Sequence, residues 1–400
     1  MKRLRNTKII FFICLFLNLN LIMSVQAVYL KTLGISASFI SMLYVISPIF
    51  GAALEVPTGV LGDYIGRKKT LILCGFCFSA SALLYLLGKS PIHFLMVVFL
   101  EALGWSLFSG NTEAIVVEDS LAKKTDISKQ IAFFYTGLPL GAAIAGFLNT
   151  GVSIYLGNIN FKVIILLSVV TKLIALALTF FVNVTPSQIE KSNKSNPFKV
   201  LADSISLIRR DFFSLTMIVY EASGRLVFYL PIIIQMLLLK NDVDLKYFGF
   251  LIATTLVIST VFQNFSHIII EKLSIEFILK ISPFGFAIGL AILLIPNPVA
   301  TIAGMIMVEI ISPLRGQCLG IQRNRVVENS YRATYISCLS LLVSLVNTVF
   351  LMIAGFFLEY SIQLAVGFLL LICLIGGLST VRFITNIPNE VKNEEQKQVV

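Results

Sequence analysis

The chain has 400 residues, of which 57% are hydrophobic and only 13% are charged, and its mean hydropathy is +0.91. A soluble domain carries roughly a quarter of its residues charged, so this composition excludes a soluble globular protein. The formal net charge of +10 would favour a nucleic-acid partner in a soluble protein, but here the basic residues first report membrane topology. The predicted partners are the lipid bilayer and a small solute, and no nucleic acid.

Apolar runs long enough to cross a bilayer as helices follow one another along the whole chain. They cover residues 9–30, 37–61, 70–88, 92–117, 129–150, 161–182, 211–238, 246–270, 275–295, 297–318, 332–357 and 361–385. The sequence therefore predicts an all-α polytopic membrane protein with 12 transmembrane helices in two six-helix bundles. We expect the bundles at 1–182 and 211–386, a cytoplasmic linker at 183–210 and a cytoplasmic tail at 387–400.

Two segments admit a second interpretation. The run at 9–30 follows a basic N-terminus, as a signal peptide does, but Asn18 and Asn20 interrupt its apolar character, and its removal would leave an odd number of spans. We therefore expect a retained first span. In the linker, Val200, Leu201, Ile205 and Ile208 recur on one helical face, which predicts a short amphipathic helix lying on the membrane surface. A solvated linker is the alternative.

The basic residues predict the orientation of the chain. Most of the 31 Lys and Arg lie in the two terminal tails and in the loops that follow even-numbered spans. The exceptions on the other side are Lys31, Lys89, Lys162, Lys240 and Lys246, and three further cations lie within spans, Lys172, Arg225 and Lys280. Because cytoplasmic loops carry the excess of Lys and Arg, we expect a plasma (inner) membrane protein with both termini in the cytoplasm.

The turn between spans 2 and 3 has an unusual composition. The chain there reads Gly59-Val-Leu-Gly-Asp63-Tyr-Ile-Gly66-Arg67-Lys68-Lys69. A turn of about eight residues needs glycine for its tight geometry, and its three cations hold it at the cytoplasmic face. The carboxylate of Asp63 among these cations indicates a local bridge or an anchor for the N-terminus of another helix.

This segment resembles the signature loop of the major facilitator superfamily, Gly-x-x-x-Asp-Arg/Lys-x-Gly-Arg-Arg/Lys, which lies between helices 2 and 3. The matching positions are Gly59, Asp63, Gly66, Arg67 and Lys68. Tyr64 departs from the pattern, which puts one cytoplasmic charge contact in doubt. The resemblance implies alternating access, in which two bundles rock about a central site.

The resemblance also implies a cytoplasmic gate. In the family, the residues that Asp63 and Arg67 match form a latch between the halves. Arg332 lies at the start of the helix that such an Asp faces. The gate residues expected from the resemblance are Glu55, Gly59, Asp63, Gly66, Arg67, Lys68 and Arg332. The segments 55–59, 109–121 and 332–341 resemble a group of bacterial facilitators with no assigned substrate.

The sequence departs in two places from the pattern of proton-coupled drug exporters. Many proton-coupled drug exporters carry an Arg in helix 4, where this chain has Glu101 and no Arg. They also carry an adjacent Gly-Pro pair in helix 5, where this chain has Gly137, Pro139 and Gly141. The sequence therefore supports membership of the superfamily better than it supports proton antiport.

Ionisable residues at membrane depth are costly and mark functional sites. In the resembling family helices 1, 4, 7 and 10 line the cavity, and Glu101, Glu221, Arg225 and Glu309 fall on three of them. Glu221 and Arg225 are four residues apart, as in an internal bridge or a binding pair that substrate or a proton opens. Glu309 has no basic residue within a turn, so it is a candidate proton carrier or a protonated acid that only packs.

Polar side chains on spans 1 and 7 complete the set of candidates. Asn18, Asn20 and Gln235 offer hydrogen bonds to a ligand or to other helices. For Lys172 the structural interpretation dominates, since its stem reaches for a carboxylate or for the interface. His93 and His267 are too few and too far apart for a metal site, so no metal and no cofactor are expected.

These features predict a monomeric secondary transporter and no enzyme. The leading hypothesis is proton-coupled export of a small amphipathic drug or metabolite. The alternative is proton-coupled uptake of a nutrient, with Arg225 binding a substrate carboxylate. A polytopic membrane enzyme and a membrane sensor are further alternatives, although an enzyme would need His, Asp or Ser clustered at one interface.

Overall fold

A computed structural model describes residues 5–184, 212–326 and 332–385 of the chain, apart from some side chains within these ranges. The linker, the amphipathic segment proposed at 200–209 and the C-terminal tail lie outside the described residues. The helices of the first part are α1 (Arg5–Asn18), α2 (Gln26–Thr32), α3 (Ala37–Ile65), α4 (Arg67–Leu87), α5 (Pro91–Ala122), α6 (Ile127–Tyr135), α7 (Gly137–Tyr155) and α8 (Phe161–Thr179). Those of the second part are α9 (Phe212–Arg225), α10 (Leu230–Lys240), α11 (Phe248–Lys272), α12 (Ile275–Leu293), α13 (Pro298–Val326), α14 (Arg332–Tyr360) and α15 (Ile362–Thr385).

The helices begin where the sequence supplies capping side chains. The hydroxyl of Ser36 accepts a hydrogen bond from the Phe39 amide, and Ser274 does the same for Phe277. The carboxylate of Asp126 accepts from the Lys129 amide and so caps α6. These caps satisfy amide groups that have no partner inside the helix.

Within the described residues, eleven helices are long and apolar enough to cross a membrane. They match the first eleven predicted runs, and the last predicted run corresponds to α15, whose apolar part, Ile362–Leu378, is shorter. The all-α membrane fold predicted from the sequence is confirmed.

The described helices pack into two compact units. The first contains residues 5–184 and 235–257, and the second contains residues 212–234, 258–326 and 332–385. In the first, α1, α4 and α5 bury a cluster that includes Ile10, Cys14, Leu71, Phe78 and Phe108. In the second, residues of α9, α12, α13 and α14 form a separate core. The bundle boundaries at 182 and 211 stay a prediction.

Many large apolar side chains lie on the outside of these units. Phe76, Leu87, Phe181 and Met352 are each half or more exposed. In water such a surface would drive association, whereas in a bilayer these side chains face lipid tails.

Candidate functional site

The turn between spans 2 and 3 is much shorter than the sequence indicates. The expected turn of about eight residues is a single glycine, because α3 continues to Ile65 and α4 begins at Arg67. Gly66 has a φ of +88°, a backbone conformation that residues other than glycine rarely adopt. Its amide donates to the Gly62 carbonyl at 3.0 Å. The prediction of a long turn is wrong because residues 60–65 keep their helical hydrogen bonds past the apolar run.

Two cations of this turn, Arg67 and Lys68, bind acceptors within the first unit. Arg67 forms a salt bridge with Glu118 of α5, with Nη2 and Oε1 2.9 Å apart. The side-chain amide of Asn111 donates to the Arg67 carbonyl at 2.8 Å, and the Lys68 ammonium donates to the Phe180 carbonyl at 2.9 Å. The positive end of Lys68 thus meets the negative C-terminal end of α8.

A pocket of about 270 Å³ opens beside Arg67 within the first unit. It lies between α3 and α5, and its lining residues are Glu55, Thr58, Gly59, Gly62, Arg67, Ser106, Leu107, Ser109 and Asn111. The structure therefore brings Glu55, Gly59 and Arg67 of the expected gate together. The side chains of Asp63 and Arg332 lie outside the described part of the chain, so their contacts stay a prediction.

Glu101 and Lys172 lie within electrostatic range of each other inside the first unit. Glu101 interacts with the Lys172 ammonium and with the Ser81 hydroxyl. Lys172 is 3% exposed, donates to the Leu17 carbonyl of α1 and lies 5.7 Å from the centre of the Phe78 ring. Of the two options that the sequence left open for Lys172, a carboxylate or the membrane interface, the structure favours the first, because the side chain is enclosed near Glu101.

Glu221 and Arg225 form the predicted bridge on α9. Arg225 donates to Glu221 Oε1 from Nη2 at 2.8 Å and from Nε at 3.2 Å, while its Nη1 donates to the Ser344 hydroxyl of α14 at 2.9 Å. Glu221 is 5% exposed and Arg225 is half-buried. A buried pair of this kind neutralises both charges, and removing one partner leaves the other uncompensated.

Glu309 lies in the middle of α13 and is half-buried. It forms no salt bridge with any residue that the structure describes. Its main-chain carbonyl accepts from the Ser259 hydroxyl of α11 at 2.7 Å. Glu309 therefore differs from Glu221, which has an arginine bound to its carboxylate.

The amide candidates are used in different ways. The carboxamide of Gln235 is fully buried and binds the main chain of span 1, since its oxygen accepts from the Ala27 amide at 2.9 Å and its nitrogen donates to the Met23 carbonyl at 3.0 Å. Asn18 donates to the Cys14 carbonyl of its own helix at 3.4 Å. Asn20 is partly exposed, and within the described residues its side chain has no hydrogen-bond partner.

A family model for the major facilitator superfamily matches residues 9–322, which is more than half of the chain. The chain belongs to the major facilitator superfamily. It is therefore a multi-pass membrane protein of a family of secondary transporters.

Two relatives of this facilitator are uncharacterized MFS-type transporters of Methanocaldococcus jannaschii. One is 27% identical over 140 residues, which is 33% of this chain and 34% of the relative. The other is 29% identical over 110 residues, which is 26% of this chain and 27% of the relative. The matched parts thus span about a third or less of these relatives.

Solved transporters share the fold at low sequence identity. The nucleoside transporter NupG has a TM-score of 0.77 at 13% identity, covering 95% of this chain and 98% of that chain. A bacterial homolog of the human lysosomal transporter Spinster has a TM-score of 0.71 at 15% identity, covering 95% and 96%. A D-xylose–proton symporter has a TM-score of 0.68 at 14% identity, covering 92% and 96%. At these identities the likeness shows the fold alone.

Arg315 of α13 is a buried cation of this facilitator that the sequence does not single out. The count of basic residues by side predicts it at the cytoplasmic face, yet its side chain is 3% exposed inside the second unit. The guanidinium carbon lies 4.1 Å from the centre of the Tyr220 ring, and Nη2 donates to the Tyr220 carbonyl. The available signal was its position inside the predicted span 297–318.

Aromatic residues near the predicted sites of the facilitator mostly pack within its units. Phe108 and Tyr220 are fully buried, and so is Tyr229. Trp105 is 36% exposed and contacts the rings of Phe78 and Phe108 edge to face. Of these residues, Trp105 is the one with ring surface available to a ligand or to lipid.

Proposed function

We propose that this facilitator exports a small amphipathic compound in exchange for protons, and that Glu309 carries the proton. The observation that carries the proposal is the contrast between the two acids of the second unit. Glu221 is neutralised by Arg225, whereas Glu309 lies at mid-helix without a salt bridge to a described residue. A carboxyl group at membrane depth without a fixed counterion is suited to bind and release a proton during transport.

The paired charges support an amphipathic substrate over a strongly charged one. Arg225 is bound to Glu221, and Lys172 is enclosed beside Glu101. Glu221 neutralises Arg225, and Lys172 is used by the Leu17 carbonyl, so little fixed charge is left to compensate a charged solute. Glu101, Glu221, Arg225, Asn18, Asn20 and Gln235 remain the proposed residues of the substrate and proton pathway.

The turn at Gly66 is proposed as the cytoplasmic gate. Arg67 is held by Glu118 and Asn111 at the edge of the pocket that Glu55 and Gly59 also line. Asp63 and Arg332 complete this gate by their match to the family pattern. We place the protein as a monomer in the plasma membrane with both termini in the cytoplasm.

Substitution of Glu309 tests the proton coupling. In proteoliposomes with an imposed pH gradient, Glu309→Gln should lower proton-driven transport of ethidium by about tenfold or more, because the amide cannot take up a proton. Exchange of ethidium without a gradient should continue and lose its pH dependence.

The matched control is Glu359→Gln, which removes an exposed acid near the end of α14. It should leave gradient-driven transport within about twofold of the parent, as a surface substitution does. If Glu309→Gln transports with parental pH dependence, Glu309 is not the coupling group. A parent protein that moves no ethidium would instead contradict the substrate class.

Uptake of a nutrient by proton symport is the second candidate. It is favoured by the Arg225 side chain, which is half-buried and bridges α9 to Ser344 of α14. A substrate carboxylate would compete with Glu221 for this guanidinium. The direction of flux distinguishes the two functions, since an exporter lowers the dye content of energised cells and a symporter accumulates its solute.

A further inference from the structure

Span 1 is interrupted near its middle. Helix α1 ends at Asn18, a 3₁₀ helix covers Leu21–Val25, and α2 begins at Gln26. In a continuous α-helix the Leu21 amide would donate to the Leu17 carbonyl. Here both groups bind side chains instead, so the break is specified by residues elsewhere in the chain.

Helix α8 supplies the replacement partners for both groups. The Ser168 hydroxyl accepts from the Leu21 amide at 2.9 Å, and the Lys172 ammonium donates to the Leu17 carbonyl. Ser168 and Lys172 are four residues apart and therefore lie on one face of α8. Together they replace the hydrogen bond between the Leu21 amide and the Leu17 carbonyl that the break removes from span 1.

Two further side chains bind the same segment. The Thr171 hydroxyl donates to the Leu19 carbonyl at 2.8 Å, and the Asn149 amide of α7 donates to the Leu21 carbonyl at 2.8 Å. Carbonyl groups in a lipid-embedded bundle must find donors, because no bulk water reaches them. The nonhelical backbone of span 1 is thus satisfied by neighbouring helices.

The charge of Lys172 suits this position. Its ammonium meets the C-terminal end of α1, where the helix dipole is negative. It forms no salt bridge within the described residues, although it interacts with Glu101. The hydrogen bond to span 1 is therefore its direct polar contact.

We propose that Lys172 is a positioning residue for the transport site. Its side chain holds the break in span 1, and the break presents the Asn20 amide to the solute. Asn20 directly follows the end of α1 and precedes the 3₁₀ helix. Its side chain is partly exposed and has no hydrogen-bond partner within the described residues. The role of Asn20 rests on the proposed transport function, whereas the role of Lys172 in the break does not.

Hydrogen–deuterium exchange of the purified full chain in detergent tests the hold on span 1. Lys172→Met should raise the exchange rates of the amides at residues 19–23 by about tenfold or more, because local opening becomes easier. Lys172→Arg keeps a charged donor and should stay within about threefold of the parent. The control Lys162→Met removes an exposed lysine from the first turn of the same helix and should change nothing in span 1.

A double variant separates this role from simple neutralisation of Glu101. If Lys172 serves only as counterion, Lys172→Met combined with Glu101→Gln restores parental exchange, and that result overturns the proposal. If Lys172 holds the break, the double variant exchanges as fast as Lys172→Met alone. Should Lys172→Met not fold, Lys172→Gln shortens the side chain and removes its charge, and unchanged exchange at residues 19–23 in that variant overturns the proposal as well.

Ethidium transport then tests the link to Asn20. Asn20→Ala and Lys172→Met should each raise KM more than they lower the maximal rate, and their double variant should have no larger effect than either alone. Additive effects overturn the link between Lys172 and Asn20. Because the exchange experiment needs no transport, failure of the export proposal is distinguishable from failure of the hold on span 1.

Discussion

The guanidinium of Arg315 occupies a site made by its neighbours on α9 and α12. Its carbon atom lies 4.1 Å from the Tyr220 ring centre and 5.5 Å from that of Phe286. Next to these rings, Gly224 leaves room for it, because a Cβ atom at that position would overlap the guanidinium. Aromatic faces and main-chain acceptors replace water around a cation, which makes a buried arginine tolerable.

Substitution of Gly224 therefore tests the Arg315 site. Gly224→Ala should lower the free energy of unfolding by about 1–3 kcal/mol, although alanine is the better helix former, because the guanidinium is displaced. Thermal unfolding of the purified protein measures the effect. The matched control is Gly316→Ala, where a Cβ atom meets open space.

A double-mutant cycle completes this test. In a chain that already carries Arg315→Met, Gly224→Ala should be close to neutral, since the flexible methionine can move away. A loss of the same size in both backgrounds would show that Arg315 does not occupy the space above Gly224.

Residue-scale features such as this one were only partly predictable. The spacing of Glu221 and Arg225 predicted their bridge correctly, because partners four apart on one helix need no knowledge of the fold. Arg315 was misassigned to the cytoplasm because its partners, Tyr220 and Phe286, are on other helices. Its burial depends on packing that no local pattern records.

At the scale of elements, α1 and α7 approach closely over two glycines. A Cβ atom at Gly137 would contact the Phe11 carbonyl, and one at Gly141 would overlap the Leu15 carbonyl. The spacing of these glycines is the small-xxx-small pattern by which membrane helices approach one another. This contact places α7 against the segment of span 1 that precedes the break.

Gly141→Ala should separate α7 from α1. We expect the free energy of unfolding to fall by about 1–3 kcal/mol, because the added methyl group meets rigid backbone rather than a movable side chain. On the same helix, a Cβ atom at Gly151 would meet open space. Gly151→Ala should therefore leave the free energy of unfolding unchanged or raise it by up to about 1 kcal/mol through helix propensity. Equal thermal stability of the two variants would contradict the close approach at Gly141.

Elements were predicted better than their interruptions. Hydrophobic length alone located the spans, because a helix must satisfy its own backbone in lipid. The break in span 1 was not predicted, because Asn18 and Asn20 indicate only hydrogen-bonding side chains within an otherwise apolar run. The physical reason is that its partners, Asn149, Ser168 and Lys172, are more than a hundred residues away in sequence.

At the scale of the whole molecule, the orientation predicted from charge decides which face carries the gate. Loops rich in Lys and Arg stay in the cytoplasm during insertion, and the turn at Arg67, Lys68 and Lys69 is one of them. The same rule places the loop around Lys124 in the cytoplasm and the loop around Asn158 outside. The choice between export and uptake depends on this assignment, because flux direction is defined relative to it.

Single cysteines in these two loops test the orientation. The five described cysteines are buried, and Lys124 and Asn158 are both exposed. With a membrane-impermeant maleimide on intact cells, Asn158→Cys should be labelled and Lys124→Cys should remain at the level of the parent chain. After permeabilisation both should react, which controls for exposure of the thiols. Labelling of Lys124→Cys in intact cells would place the Gly66 turn outside, and the proposed cytoplasmic gate would then be wrong, whereas the Glu309 experiment would still report proton coupling.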